Sequence, residues 1–99
     1  MTSDTTKYQG WTNYATWRVQ LEMVNGQTCE DFGVIPEEGE RLPDMACLED
    51  CLETSCYEII EMDATGLARD YALSFLGEVN WRELAEHMID DYAATLRTR

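Results

Sequence analysis

The sequence predicts an all-α protein, a small single-domain helical bundle of about four helices with a long acidic loop after the first helix. Apolar residues recur at intervals of three and four along four segments, which is the spacing of one helix face. An Asn or Asp side chain precedes three of these segments and is suited to cap them. The 99 residues, 44% of them apolar, suffice for one core and are too few for two, so residues 1–99 are interpreted as one domain.

The first helix is predicted to begin after Thr12 or Asn13, either of which can cap it, and to end at the Asn25-Gly26 stop signal. Its apolar positions follow helical spacing and are expected to face the core: Tyr14, Trp17, Leu21 and Val24. Arg18 and Glu22 are spaced for an ion pair on the opposite side of this helix.

A long loop is predicted at residues 26–43, because this stretch holds three glycines and both prolines. Within it, residues 32–35 are expected to form a short extended piece. Asp44 then follows Pro43 and is predicted to cap a second helix that runs to about Met62. The apolar face of that helix is expected to consist of Met45, Leu48, Leu52, Cys56 and Ile59.

Two further helices complete the prediction. The third spans residues 64–76 and ends at Gly77, with an inner side formed by Leu67, Tyr71, Ser74 and Phe75. At the fourth, Asn80 and Glu83 fit a capping box, in which Asn80 caps the Glu83 amide and Glu83 reaches back. Its apolar stripe is Trp81, Leu84, Ala85, Met88, Ile89 and Tyr92. The expected core of the bundle includes Trp17, Leu21, Leu48, Leu52, Trp81 and Leu84.

The charge of the chain is strongly negative and unevenly distributed. Twenty acidic residues oppose seven basic ones, for a net charge of −13. Such a chain lacks the cationic surface that nonspecific binding to DNA, RNA or anionic membranes requires. Residues 27–68 hold twelve acidic residues and a single basic one, so this segment alone carries a net charge of −11. The excess charge therefore lies in the long loop and the second helix.

The distribution of apolar residues predicts the cellular location of the protein. No window approaches 18 consecutive apolar residues, so we expect no membrane-spanning segment. The first ten residues, MTSDTTKYQG, have no apolar run, so we expect a flexible N-terminus without a signal peptide and a cytoplasmic protein.

From Glu49 to Glu61, the acidic residues of the second helix have no basic neighbour three or four positions away, which is unusual for a helix that is merely kept soluble. One interpretation is a solvated face that provides solubility. The other is a surface that imitates a phosphate backbone and occupies an arginine- and lysine-lined channel. On the second interpretation, the candidate partner-binding residues are Glu37, Glu38, Glu40, Glu49, Asp50, Glu53, Glu58 and Glu61.

No motif predicts catalysis, a metal site or a cofactor. Zinc would need Cys47, Cys51 and Cys56 together with Cys29 or His87, and no CxxC pair is present. We therefore interpret the cysteines as reduced packing residues. A Cys or Ser nucleophile paired with His87 lacks a recognised context and an orienting acid. Glycine-rich phosphate loops and calcium loops are also absent, so we expect a protein that is not an enzyme.

The aromatic stretch GWTNYATW at residues 10–17 is predicted to serve the core. Tyr14 and Trp17 fall on the inner stripe, and Trp11 is placed to pack back on the first turn as a staple. A platform for stacked bases would need cations beside it, and only Lys7 and Arg18 are near. Direct binding of nucleic acid is therefore not expected.

Two segments, WTNYATWRVQLEM at residues 11–23 and VNWRELAEHMIDDY at residues 79–92, resemble a group of small acidic proteins carried by phages and other mobile elements. That group shares an N-terminal NYxTW motif and a C-terminal helix with W-x-x-[LI]-A. The resemblance covers about 27 residues and leaves the acidic centre unmatched. It implies an early phage or prophage product, and small acidic phage proteins are often anti-CRISPR or antirestriction inhibitors.

Together, charge and resemblance predict a non-enzymatic inhibitor of a bacterial defence system, acting in the cytoplasm of the infected host. Its expected partner is a basic nucleic-acid-binding protein, with a CRISPR effector subunit as first choice. The alternative is a small helical module that dimerises or binds a protein through an apolar face, with its charge serving only solubility.

Overall fold

A computed structural model describes residues 8–97, the last of them by its backbone only. Across this range the predicted all-α fold is confirmed. The helices are α1 (Tyr14–Val19), α2 (Met45–Asp63), α3 (Gly66–Leu76) and α4 (Trp81–Arg97). A π-helical turn, Gln20–Val24, continues α1, and a short 3₁₀ helix, Cys29–Phe32, lies in the long loop. The only strand-like pairing in residues 8–97 is an isolated bridge between Tyr8 and Trp11.

The helix boundaries follow the capping signals of the sequence. The predicted caps each accept a hydrogen bond from a backbone N–H of the first turn: Asn13 from Thr16 at 2.9 Å, Asp44 from Ala46 at 3.0 Å and Asn80 from Glu83 at 3.1 Å. Gly77 caps the end of α3 as predicted. Helix α3 begins at Gly66, whose φ of +62° lies in the left-handed region and suits glycine at this sharp connection.

The buried side chains form one hydrophobic core, and the most extensive helix contact within it joins α2 to α4. Leu48, Leu52 and Leu84 are fully buried, and Trp81 is 7% exposed, as predicted. The remaining stripe of α4 is also correct, since Ala85, Met88 and Ile89 are buried and Tyr92 packs against the core. Residues 1–7, which belong to the predicted flexible N-terminus, lie outside the described range.

The predicted inner face of α1 is wrong. Tyr14 is 43% exposed and Leu21 is 47% exposed, whereas the buried positions are Ala15, Thr16, Val19 and Val24. Helix α1 packs beside α3, and its buried Thr16 accepts a hydrogen bond from the Asn80 N–H just before α4. The five-residue step from Val19 to Val24 matches the π-helical turn, whose wider winding returns Val24 to the core. Trp17, a predicted core residue, is half-buried.

The predicted inner side of α3 is also wrong. Leu67 is 66% exposed and Tyr71 is 70% exposed, while Leu76 is buried and Leu73 and Phe75 pack against the core. Of the predicted set only Phe75 faces inward. Apolar residues occur on both sides of this helix, so its spacing alone does not identify the face that α2 covers. On α2, Ile59 is 46% exposed and Ile60 takes its expected place against the core.

The long loop contains a helical turn that lies just before the expected extended piece and overlaps it only at Phe32. Residues 29–32 form the 3₁₀ helix, closed by a capping box in which Thr28 and Asp31 bond reciprocally. Gly33 ends it, and the Val34 N–H then donates to the carbonyl of Cys29 at 3.1 Å. The predicted extended piece at residues 32–35 is therefore wrong at Phe32 and Gly33, which belong to the 3₁₀ helix and its left-handed cap, and Val34 beyond them is buried.

Candidate acidic interface

Three of the candidate glutamates are brought together by a tight turn of the loop. The N–H of Glu40 donates to the carbonyl of Glu37 at 2.9 Å, and Gly39 adopts a φ of +88° in this turn. Only glycine adopts that conformation readily, so the turn depends on Gly39, which lies between Glu38 and Glu40. Glu37, Glu38 and Glu40 are all exposed. The turn therefore presents three carboxylates to solvent within four residues.

The other five candidate residues lie along the outer half of α2. Asp50, Glu58 and Glu61 are exposed, and Glu49 and Glu53 are half-buried at the border with the core face. With a rise of about 1.5 Å per residue, Glu49 and Glu61 are about 18 Å apart along the axis. The five carboxylates are therefore unevenly spaced, on average about 4.5 Å apart along the axis, against one phosphate per about 3.4 Å along a strand of B-DNA. We call these five and the three of the turn the acidic surface.

Two residues of the acidic surface have ion-pair partners that the sequence did not reveal. A carboxylate oxygen of Glu49 lies 3.7 Å from Arg82 of α4, and one of Glu61 lies 3.1 Å from Arg69 of α3. The interpretation of α2 as a row of wholly unpaired carboxylates is therefore wrong at both ends. Arg69 follows Glu61 by eight residues on the next helix and Arg82 lies much farther from Glu49, so neither pair has the spacing of neighbours on one helix face. Pairs this exposed contribute little stability.

The centre of the acidic surface remains without basic partners in the described chain. Asp50, Glu53 and Glu58 form no ion pair there, and neither do the glutamates of the turn. No hydrogen bond or ion pair of residues 8–97 links the turn to α2, so the acidic surface consists of two groups. The predicted pair between Arg18 of α1 and Glu22 of the π-helical turn is confirmed.

The four cysteines do not converge. Cys29 and Cys56 are buried, Cys51 is half-buried, and Cys47 is exposed, so its interpretation as a packing residue is wrong. Burial raises the pKa of Cys56 to about 11, and it also raises the pKa of Cys29. The pKa of Cys51 is raised by burial first and then by the neighbouring Cys47 thiol. No group of three or more metal-ligating side chains occurs within residues 8–97.

The aromatic stretch at residues 10–17 is divided between surface and core. Trp11 stacks on the exposed His87 of α4, with ring centroids 4.1 Å apart, and also packs against the core. Tyr8, Tyr14 and Trp17 form a surface cluster with centroids 4.8 to 5.7 Å apart. Tyr14 also meets Phe75 of α3 edge-on at 6.2 Å. His87 is thus held by an indole ring, and none of its described contacts is with a cysteine.

A set of hydrogen bonds between the starts of α1 and α4 was missed from the sequence. Glu83 does not reach back to Asn80 as predicted. Its carboxylate accepts from the N–H of Thr12 at 2.9 Å, and the Asn80 N–H donates to the Thr16 hydroxyl at 2.8 Å. The remaining bonds of this cap-to-cap network run from the Asn80 side chain to Thr12 and from the Asn13 side chain to the Glu78 carbonyl, at 2.9 and 2.8 Å.

The network joins residues 12–16 to residues 78–83. The only sequence signal for it is the pair of Asn caps, which is too common to predict a contact across more than 60 residues. Neither protein-family models, nor curated proteins, nor solved structures match this chain. Among the described residues, no helix combines the length and the apolar character needed to cross a membrane.

Proposed function

We propose that this protein is a non-enzymatic inhibitor whose acidic surface occupies the nucleic-acid-binding site of a basic host protein. The observation that carries the proposal is the segregation of charge: residues 27–68 hold a net charge of −11, and Asp50, Glu53 and Glu58 have no basic partner in the described chain. A helix of 19 residues holds these carboxylates at fixed spacing. Fixed, exposed negative charges complement a channel lined by arginine and lysine.

The physical consequence is that electrostatic attraction steers the protein toward a cationic partner. Like charges concentrated on one surface raise the rate of encounter with a cationic channel, and the effect weakens as salt shortens the screening length to about 10 Å at 0.1 M. The nucleic acid and the inhibitor then compete for one site. The resemblance to small acidic phage proteins favours a bacterial defence complex as the target, and a CRISPR effector is the first to be tested.

The experiment measures binding of a DNA target by a purified CRISPR effector–guide complex as this protein is added. We expect competition that weakens steeply with salt. A variant with Glu37, Glu38 and Glu58 replaced by lysine is expected to bind about tenfold more weakly or worse. These three are chosen because they are exposed and have no ion-pair partner in the described chain, so the fold should persist.

The matched control carries the same change of charge elsewhere. Asp70, Glu78 and Asp90 are exposed acidic residues outside the acidic surface, and their replacement by lysine should leave binding within about twofold. An equal loss of binding in the two triple variants would indicate that binding depends on the net charge of the protein and not on the acidic surface. Undiminished binding by the first variant at both low and high salt would contradict the proposal.

One observation favours the second candidate, a module that binds through an apolar face. Met62, Leu67 and Tyr71 are 83%, 66% and 70% exposed, and the last two lie one turn apart on α3. For this candidate, replacing Leu67 and Tyr71 by serine should abolish self-association in analytical ultracentrifugation. The triple-lysine variant should then be silent.

A further inference from the structure

A groove opens between the 3₁₀ helix and the middle of α2, within the acidic part of the chain. Its volume is about 480 Å³, in the range of sites that hold small molecules or single large side chains. Apolar side chains of Met23, Phe32 and Ile59 line it, and the carboxylates of Asp31 and Asp50 belong to the same lining. No basic residue lines this groove.

The two carboxylates differ in how they are held. Asp31 uses its Oδ2 atom to accept from the Thr28 N–H at 2.8 Å and from the Thr28 hydroxyl at 3.3 Å. Its Oδ1 atom has no described hydrogen bond, so one oxygen fixes the side chain while the other is free to accept. Asp50 is exposed and forms no described hydrogen bond or ion pair. The groove therefore offers two carboxylates with no cationic side chain beside them, and its neutral polar lining consists of Gln27, Thr54 and Ser55.

The apolar lining restricts the occupant further. Ile59 is 46% exposed, and Phe32 and Met23 are half-buried, so a hydrocarbon stem has a surface to cover. A planar cation gains additional attraction over the face of an aromatic ring such as Phe32. A bidentate guanidinium also matches a carboxylate better than an ammonium group does. An arginine side chain combines the stem, the planar cation and the donors.

We infer that this groove binds an arginine side chain of the protein partner. The inference rests on the proposed function for the basic character of that partner, and adds a specific recognition site to a surface otherwise governed by the number of charges. Charge complementarity commits the groove to a cation, and the Phe32 ring together with the carboxylates favours a guanidinium over an ammonium group.

The test titrates the 99-residue protein with acetyl-Gly-Arg-Gly-amide and with its lysine counterpart, and follows the amide chemical shifts by NMR. We expect shifts concentrated around Asp31, Asp50 and Ile59, and at least about threefold tighter binding of the arginine peptide. Asp50→Asn keeps the shape of the side chain and removes its charge, so it should weaken that binding by about tenfold. Asp70→Asn, on α3, serves as the control and should bind as the natural protein does.

Shifts spread over all acidic residues, equal binding of the two peptides, or no effect of Asp50→Asn would each overturn the inference. Self-association that Asp50→Asn abolishes would also overturn it, because the occupant would then be an arginine of a second copy. If only the arginine site is wrong, the peptide does not bind in the groove, but lysine at positions 37, 38 and 58 still weakens binding to the effector. If only the proposed function is wrong, those lysine substitutions have no effect on the effector, but the arginine peptide still binds.

Discussion

The backbone N–H of Asn80 donates a hydrogen bond to the hydroxyl of Thr16, 2.8 Å away and 64 residues earlier in the chain. Thr16 is completely buried, and its hydroxyl in turn donates to the Asn13 side chain at 2.7 Å. The capping residue of α4 is thereby tied to the first turn of α1. Helix α1 has six residues, which is too short for stability in isolation, so bonds of this kind hold it in place.

Replacing Thr16 by valine tests this bond, because valine has the same shape and no hydroxyl. The Asn80 N–H would lose its acceptor, and the free energy of unfolding should fall by about 1–3 kcal/mol. Urea denaturation measures the change. Thr16→Ser is the matched variant: it keeps the hydroxyl, loses one methyl and should cost about 1 kcal/mol. A valine variant as stable as the natural protein would show that the bond contributes nothing.

The corrected packing is tested by two leucines that the sequence assigned equally to the core. Leu52 is fully buried and Leu21 is 47% exposed. Leu52→Ala should lower the free energy of unfolding by about 2–5 kcal/mol, because it leaves a cavity that the neighbours fill only in part. Leu21→Ala should cost about 1 kcal/mol or less. Equal losses in thermal or urea denaturation would contradict the placement of α1.

Alkylation should distinguish the four thiols. The thiolate is the reacting form, so exposure and a low pKa favour reaction. We expect iodoacetamide at pH 8 to modify the exposed Cys47 first and Cys56 last, since burial raises the pKa of Cys56 to about 11. Mass spectrometry of peptides taken at successive times gives the order. In urea all four cysteines should react at similar rates, and early modification of Cys56 in the folded protein would contradict its burial.

The shifted thiol also predicts the direction of a pH dependence. The pKa of Cys56 rises from 9.0 to about 11 on folding, so the folded state keeps the proton that the unfolded state loses. Stability from this group is complete below pH 9 and declines as the pH rises toward about 11. Unfolding free energies measured across this interval should fall less steeply for Cys56→Ala, whatever its stability at pH 7. Identical slopes would assign the alkaline loss to other groups.

Local signals in the sequence determined where the helices lie. Asn13, Asp44 and Asn80 cap them as predicted, because a side chain acts on an amide two or three residues away and the information is contiguous. The inward faces of α2 and α4 were also largely predictable. Their large apolar residues lie mainly on one side, so periodicity and burial agree at Leu48, Leu52 and Leu84.

The tertiary structure decided the faces of α1 and α3 and the partners of the charges. Helix spacing shows which residues share a face, but the neighbouring helices decide which face is covered. The residues that were expected inside and are exposed are Tyr14, Leu21, Leu67 and Tyr71. Arg82 reaches Glu49 and Thr12 meets Glu83 for the same reason: such contacts join residues far apart in the chain. The concentration of negative charge at residues 27–68 is readable from the sequence alone, since it depends on composition. Only the tertiary structure shows that this charge lies on a turn, on an exposed helix face and along a groove.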